Sequence, residues 1–381
     1  MVQQKLIDNE SAKGPENIFL ELDKYKKNSY LTHNIHPYPA KFIPQIPKDL
    51  IIWLSNKNDW VLDPFCGSGT TLVEARLTGR NSIGVDVNPL SCLISKVKVT
   101  SLNSDDISKI EKVLLIIKDD VLRNVKYEPP DYPNIDLWFS QQSKSSLSVI
   151  RHHLISLEDG PVKEFLSVAF SSIIVRVSNQ ESDTKYRSVK RYLDENQIWS
   201  LFDKKVHDML KRIIEFQSTA YSTISKVYNH DSRNLSFVGR NIDLIVTSPP
   251  YLNSYDYYLY HKHRMMWLSM DVSTAQELEL GSRNKHSDKG ESLLSYLNSL
   301  KQVVSSASMI LKEGGYFSMV TGDGILKGKL IKMNVEMDQL FNELGYKKLR
   351  ELKFDQRKYT RSFIRNTKKI KKESYVLVYG H

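Results

Sequence analysis

Two short stretches of this 381-residue chain combine residue types whose spacing suits work on a bound ligand. The first is Asp63-Pro64-Phe65-Cys66-Gly67-Ser68-Gly69-Thr70-Thr71. Glycines in a turn before a helix let the backbone approach a ligand closely, and free N–H groups at the helix start favour an anionic group. Thr70 and Thr71 follow Gly69, so the third glycine of a dinucleotide fingerprint is absent, which argues against a nicotinamide cofactor. No Gly-Lys-Ser/Thr follows either, so the turn is not a phosphate-binding P-loop. Taken alone, a Gly-x-Gly turn is equally a tight structural turn with an N-capping aspartate. Asp86, at the end of the next apolar run, tips the balance, because a carboxylate there can accept both hydroxyls of a ribose.

The second stretch is Thr247-Ser248-Pro249-Pro250-Tyr251. Two prolines after an apolar run end ladder pairing and fix a rigid loop at the sheet edge, where open α/β sheets bind ligands. An amino group on an aromatic base is a poor nucleophile, because its lone pair is delocalised into the ring. The Ser248 hydroxyl and the Pro249 carbonyl, aimed by the following Pro250, suit the task of binding its hydrogens. Tyr251 offers a face on which an extruded base could stack. Just beyond, Tyr255, Tyr257, Tyr258 and Tyr260 lead into His261-Lys262-His263-Arg264. Aromatics and cations this near a base pocket suit a strand with an extruded nucleotide, and equally suit a helix whose aromatic face packs on the sheet. The two histidines have no carboxylate or cysteine cluster to complete a metal site.

The elements that must position these stretches are legible as apolar runs. Trp60-Val61-Leu62 predicts a short buried strand stopped by Pro64, followed by a helix with Leu72, Val73, Ala75 and Leu77 inward and Gly79 at its end. Asn81 to Val87 predicts a second strand, and Asn88-Pro89 opens a helix to about Lys98, giving a βαβ unit with parallel strands. Further on, Val227 to Asp231 and Ile242 to Thr247 predict strands. Leu293 to Leu311 has helical spacing, with Gly314-Gly315 read as its cap and Tyr316 to Val320 as the next strand. Leu349 to Phe354 and Ser374 to Tyr379 close the chain as a hairpin with a long loop. Between Thr100 and Ser225 the spacing is mostly helical and too long for a loop, which predicts an inserted subdomain. Within it, Ile135 to Phe139 reads as a hydrophobic anchor and Ser178 to Arg191 as an exposed loop.

Charge is concentrated rather than spread. Lys347 to Lys372 holds twelve Lys or Arg against Glu351 and Asp355, an excess equal to the +10 of the whole chain. Such a segment suits a polyanion, since each neutralised phosphate releases counterions, and Phe354, Tyr359 and Phe363 add faces for sugars or bases. Cys66 and Cys92 are the two cysteines, too few for a disulfide framework or a zinc site. The apolar stretch Leu166 to Val177 is too short to span a bilayer, and Met1 to Glu10 lacks a signal-like apolar run, so a cytoplasmic protein without a membrane segment is expected.

The first motif resembles the cofactor motif of the S-adenosylmethionine-dependent DNA amino-methyltransferases, and Ser248-Pro249-Pro250-Tyr251 resembles their catalytic motif. Serine at its head is typical of cytosine-N4 enzymes, Asp or Asn of adenine-N6 enzymes. His36-Pro37-Tyr38-Pro39-Ala40-Lys41-Phe42-Ile43-Pro44 resembles the family's N-terminal motif, which closes over the methionine end of the cofactor. The resemblance implies a Rossmann-like fold, a mixed seven-stranded sheet with helices on both faces, plus the mostly helical insertion. It divides the chain into residues 1–100, the insertion 101–225, and 226–381. It implies S-adenosylmethionine held by Tyr38 and Phe42, by Asp63, Pro64, Phe65, Cys66, Gly67, Gly69 and Thr70, by Asp86 at the ribose and by Asp231 near the adenine. Ser248, Pro249, Pro250 and Tyr251 would act on a base flipped from double-stranded DNA. Tyr255, Tyr258, Lys262 and Arg264, with Arg357, Lys358, Arg361 and Arg365, would contact the DNA, without a metal and in company with a restriction endonuclease. Adenine N6, RNA guanine N2 and an inactive DNA-binding partner subunit are the competing readings. The match leaves Thr100 to Ser225 uncovered, so whether the insertion reads DNA or is a scaffold stays open.

Overall fold

The computed structural model describes residues 14–17, 29–183, 185–239, 241–252, 255–282, 293–355 and 372–381. In chain order the strands are β1 (Trp60–Asp63), β2 (Asn81–Asp86), β3 (Gln180–Ser182), β4 (Lys185–Ser188), β5 (Ser225–Asn229), β6 (Ile242–Thr247), β7 (Leu311–Gly322), β8 (Gly324–Leu326), β9 (Lys329–Ile331), β10 (Lys347–Phe354) and β11 (Ser374–Gly380). Seven of them form one sheet in the order β10-β11-β7-β6-β1-β2-β5, while β3-β4 and β8-β9 are separate hairpins. β5, β2, β1, β6 and β7 run parallel, and β11 lies antiparallel between β7 and β10.

Helices cover both faces. α1 (Gln45–Leu54), α2 (Thr70–Leu77) and α3 (Pro89–Val99) accompany the first strands. α4 (Ser104–Leu122), α5 (Ile135–Trp138), α6 (Gln141–Ile155), α7 (Pro161–Val177) and α8 (Glu195–Thr219) lie between β2 and β5. α9 (Tyr257–Trp267), α10 (Val272–Leu278) and α11 (Leu293–Ser308) separate β6 from β7, and α12 (Met333–Glu343) precedes β10. Side chains alternate across a strand, so neighbours in one apolar run serve opposite faces. Val61, Leu244, Val246, Val376 and Val378 pack with Ile46, Leu50 and Ile51 of α1. Leu62, Ile245, Phe317 and Leu377 pack with Leu300 and Val304 of α11 and Met337 and Phe341 of α12. Burial on both faces is why these strands read as continuous apolar runs instead of alternating ones. The result is the Rossmann-like fold with a mixed seven-stranded sheet.

Residues 101–225 do not build a core of their own. α7 is apolar on nearly every side and is buried, with Phe165, Phe170 and Ile174 packed among α4, α6 and α8. Leu90, Ile94 and Val97 of α3 and Met265 and Trp267 of α9 belong to the same cluster. The helical layer is therefore fused to α9, the helix that follows the Ser248–Tyr251 loop. Two expectations need correction. Gly314 and Gly315 do not cap α11 but lie inside β7, where the register against β6 jumps from Ile242↔Leu311 to Leu244↔Tyr316. A Cβ on Gly315 would come within 2.9 Å of the Asp243 carbonyl oxygen, so the glycine lets the irregular strand pass. Ser178 to Arg191 is not an open loop but the β3-β4 hairpin, anchored by fully buried Ser178 and Gln180. Among the described residues no helix is long and apolar enough to cross a membrane.

Candidate active site

The chain leaves β1 for β2 and β5 on one side and returns to β6 and β7 on the other. Ligands of such sheets bind outside the carboxyl ends of the strands at this reversal. A cavity of about 400 Å³ opens there, within the ordinary range of ligand pockets.

Asp63 ends β1 and organises the floor. Its carboxylate accepts from Thr247 Oγ1 at 2.7 Å, Thr71 Oγ1 at 2.6 Å and Phe65 N at 3.1 Å. One side chain thus ties β6, α2 and the glycine turn together. Burial raises its carboxyl to about 6, against those three hydrogen bonds. Gly67 and Gly69 adopt φ of 49° and 78°, the left-handed region that favours glycine. Gly69 caps α2, and a Cβ on it would sit 2.9 Å from Ser95 of α3, so its role is helix packing and it does not line the cavity. Gly67 does line it, with the Tyr38 hydroxyl 3.4 Å from where its Cβ would stand.

Asp86 ends β2 and accepts from Gly67 N at 2.9 Å and Asn88 N at 2.8 Å. Burial raises its carboxyl to about 6, opposed by those N–H groups and reinforced by the charge of Asp63. Asn88 caps α3 through Leu90 N and Ser91 N. On the rim, Asp231 pairs with Arg233 at 2.5 Å. Burial alone would raise the Asp231 carboxyl, but the hydrogen bonds and charge of Arg233 leave it below its ordinary value.

Across the cavity, Ser248-Pro249-Pro250-Tyr251 leaves β6. Tyr296 of α11 donates from its hydroxyl to Pro250 O at 2.8 Å. Burial pushes the Tyr251 phenol up to about 12, against a hydrogen bond with Ser248. The ring edge lies against Gly322 at the end of β7, where a Cβ would meet Tyr251 Cε2 at 2.9 Å. Gly281, at φ +68°, packs against the carbonyl oxygens of Pro250 and Tyr251, each 3.0 Å from its Cβ position.

Tyr38, Phe42, Asp63, Pro64, Phe65, Cys66, Gly67, Thr70, Asp86 and Asp231 line this cavity together with Ser248, Pro249, Pro250, Tyr251 and Tyr255. The expected DNA contacts on α9 fare differently. Arg264 is 1% exposed, and its guanidinium donates to Ser171 O at 3.0 Å and Tyr260 O at 3.1 Å and pairs with Asp183 in the β3-β4 turn. Fully committed inside, it is a strut between α9, α7 and the hairpin, not a DNA contact. Tyr258 is buried as well, and half-buried Lys262 does not line the cavity. His263 packs among Trp138, Phe139 and Tyr186, so this part of α9 is core, while Tyr257 at the helix start lines the cavity. Arg357, Lys358, Arg361 and Arg365 lie outside the described residues. Reading the sequence missed Glu279, Gly322 and Asp323, which also line the cavity. The last two carried a usable signal: Gly322-Asp323 follows an apolar strand, as Asp63 and Asp86 end theirs.

The residues fit S-adenosylmethionine. Asp86 ends β2 at the cavity, where a carboxylate suits ribose hydroxyls, and Asp63, Asp86 and Glu279 are buried carboxyls with raised values, whose charged forms a cationic ligand would stabilise. Among the described residues no group of three or more His, Cys, Asp or Glu is gathered to hold a metal.

The family described as DNA methylase matches residues 2–97. The chain is 27% identical to Type II methyltransferase M.MvaI of Kocuria varians over 71% of its own length and 66% of that protein's, just under two-thirds of the relative. It is 24% identical to Type II methyltransferase M.MjaII of Methanocaldococcus jannaschii over 86% of its own length and 77% of the relative's. Among solved structures, the rRNA methyltransferase aviRa of Streptomyces viridochromogenes aligns over 91% of this chain and 88% of its own at 11% identity and a TM-score of 0.34, and the fold is read from the sheet itself.

Proposed function

We propose that this protein is a DNA methyltransferase that transfers the methyl group of S-adenosylmethionine to the exocyclic N4 amine of cytosine, in double-stranded DNA with the target base flipped out. One observation carries the reading. The glycine turn with Asp86 and the Ser248-Pro249-Pro250-Tyr251 loop, 162 residues apart from Asp86 to Ser248, face one cavity. The matches to Type II methyltransferases support DNA as substrate and a restriction–modification setting with a paired endonuclease.

S-adenosylmethionine supplies a methyl group on a sulfonium, already a strong electrophile. The chain contributes orientation and polarisation. Gly67 and Asp86 seat the nucleoside, and Tyr38 and Phe42 lie over the same cavity. The Ser248 hydroxyl and Pro249 carbonyl accept the hydrogens of the amine and return electron density to its nitrogen. Tyr251, backed by Gly322, holds the base plane. No thiol is placed for attack on a pyrimidine carbon. Burial drives the Cys66 thiol up, and Cys92 Sγ donates to the carbonyls of Asp86 and Tyr228. On this reading residues 1–100 and 226–381 form the catalytic domain, residues 101–225 buttress it and are available for target recognition, and Arg357, Lys358, Arg361 and Arg365 contact phosphates.

The test is transfer of labelled methyl groups to unmethylated genomic DNA, read by nucleoside mass spectrometry. N4-methylcytosine is the expected product. N6-methyladenine would keep the mechanism and overturn the assignment resting on Ser248. Label in RNA alone, or none at all, would overturn the proposal.

A further inference from the structure

Glu279 lies between the two halves of the cavity and bears on both. It follows α10, is 5% exposed and lines the cavity. Its carboxylate accepts from Tyr257 N at 2.7 Å and Tyr258 N at 3.0 Å, the first N–H groups of α9. The Tyr257 ring stacks on Tyr38, with centroids 5.9 Å apart and planes at 30°. Tyr38 in turn shares a hydrogen bond with Ser91 Oγ at 2.8 Å and closes over Gly67. Two residues after Glu279, Gly281 packs against the carbonyls of Pro250 and Tyr251. A continuous set of contacts therefore runs from the cofactor turn through Tyr38, Tyr257 and Glu279 to the catalytic loop.

We infer that Glu279 is a positioning residue that holds the cofactor turn and the catalytic loop in one register, so that filling the first half of the cavity sets the second. The inference rests on the methyltransferase reading above. An ionised carboxylate can accept at both oxygens, and a glutamine cannot: it would turn an N–H2 towards one of the two N–H groups. The neighbouring ionisable groups are Asp256, Asp86 and the phenol of Tyr257. Burial raises the Glu279 carboxyl to about 8, against its two backbone hydrogen bonds, with Asp256 and Asp86 adding to the rise. A cationic ligand beside it favours the ionised form, so loading the cavity expels a proton and tightens the grip on α9.

The wild-type chain is titrated with S-adenosylmethionine by calorimetry at pH 8, in two buffers of different ionisation enthalpy. Release of roughly half a proton per site is expected, since a group near its midpoint is about half protonated. Glu279→Gln should abolish that release, weaken cofactor binding about tenfold and slow single-turnover transfer about tenfold. Glu279→Asp should retain the proton release. Absence of proton release from the wild type overturns the inference, and this arm holds even if Glu279→Gln fails to fold. So does a Gln variant that binds and transfers like the wild type. A wild-type chain that neither binds the cofactor nor methylates DNA would remove the methyltransferase reading, and this inference with it. Intact binding and transfer with a silent Glu279 would remove the inference alone.

Discussion

Replacing Gly322 with alanine adds one methyl group under the edge of Tyr251. The new Cβ would lie 2.9 Å from Tyr251 Cε2, 3.3 Å from Cδ2 and 3.3 Å from Ser374 Oγ. Carbon atoms in contact sit about 3.5–4.0 Å apart, so the ring edge must yield by roughly 0.6–1.1 Å. It has little freedom to do so in place. The Tyr251 carbonyl packs on Gly281, and the preceding Pro250 carbonyl is held by Tyr296 at 2.8 Å. Gly322 itself is not among the positive-φ glycines, so alanine introduces no backbone strain and the effect is steric. Overpacking of this kind costs about 1–3 kcal/mol, and a displacement near 1 Å between aligned reactants costs on the order of 100-fold in rate. Single-turnover methylation is therefore expected to slow by about 10- to 100-fold at saturating cofactor. Gly67, in the turn after β1, and Asp86, at the end of β2, lie across the cavity, so the cofactor Kd should stay within about twofold. Rapid-quench transfer to DNA, paired with calorimetric cofactor titration, separates the two quantities. Transfer at the wild-type rate would refute the support assigned to Gly322, and parallel loss of cofactor binding would refute the division of the cavity into two halves.

Three other perturbations probe separate parts of the site. Asp86 is held up at about 6 by burial, against Asn88 N and Gly67 N. If its ionised form accepts the ribose hydroxyls, its contribution to cofactor affinity should climb as pH rises to about 6 and level off above it, adding a limiting slope of about tenfold per pH unit below to the rise through about 8 that Glu279 supplies. Asp86→Asn should flatten that limb, and equal slopes in the two proteins would exclude Asp86 as its source. Arg264→Leu strips partners from the buried carbonyl of Ser171 and from Asp183. Stability should fall by about 2–3 kcal/mol while the salt dependence of DNA binding holds; thermal melts and binding titrations over a salt series check both, and a reduced salt slope would return Arg264 to the DNA surface. Neutralising Arg357, Lys358, Arg361 and Arg365 together should lower that slope by up to about 0.9 per lost phosphate contact. An unchanged slope would exclude the segment from the interface.

What the sequence reveals here follows the range of each residue's influence. The strands around Val61, Ile83 and Ile245 are legible because a strand covered on both faces must be apolar throughout, whatever covers it. Gly67 and Asp86 are legible because a left-handed turn and a strand-end carboxylate are local requirements written within a few residues. Arg264 misleads because Lys262-His263-Arg264 has the composition of a basic surface, and the partner that internalises it, Asp183, arrives from a hairpin 81 residues earlier. Gly314-Gly315 misleads for a related reason. A glycine pair after a helix is a cap by local rules, and the Asp243 carbonyl that requires Gly315 belongs to another strand. Glu279 and Gly281 give no local sign at all, since each matters only through its approach to Tyr257, Pro250 or Tyr251 across a chain reversal. The groups that would touch the reactants are therefore carried by short motifs, while the groups that aim them are set by topology. That division explains why the reaction class could be inferred before the fold, and why the residues that hold the two halves of the cavity in register could not.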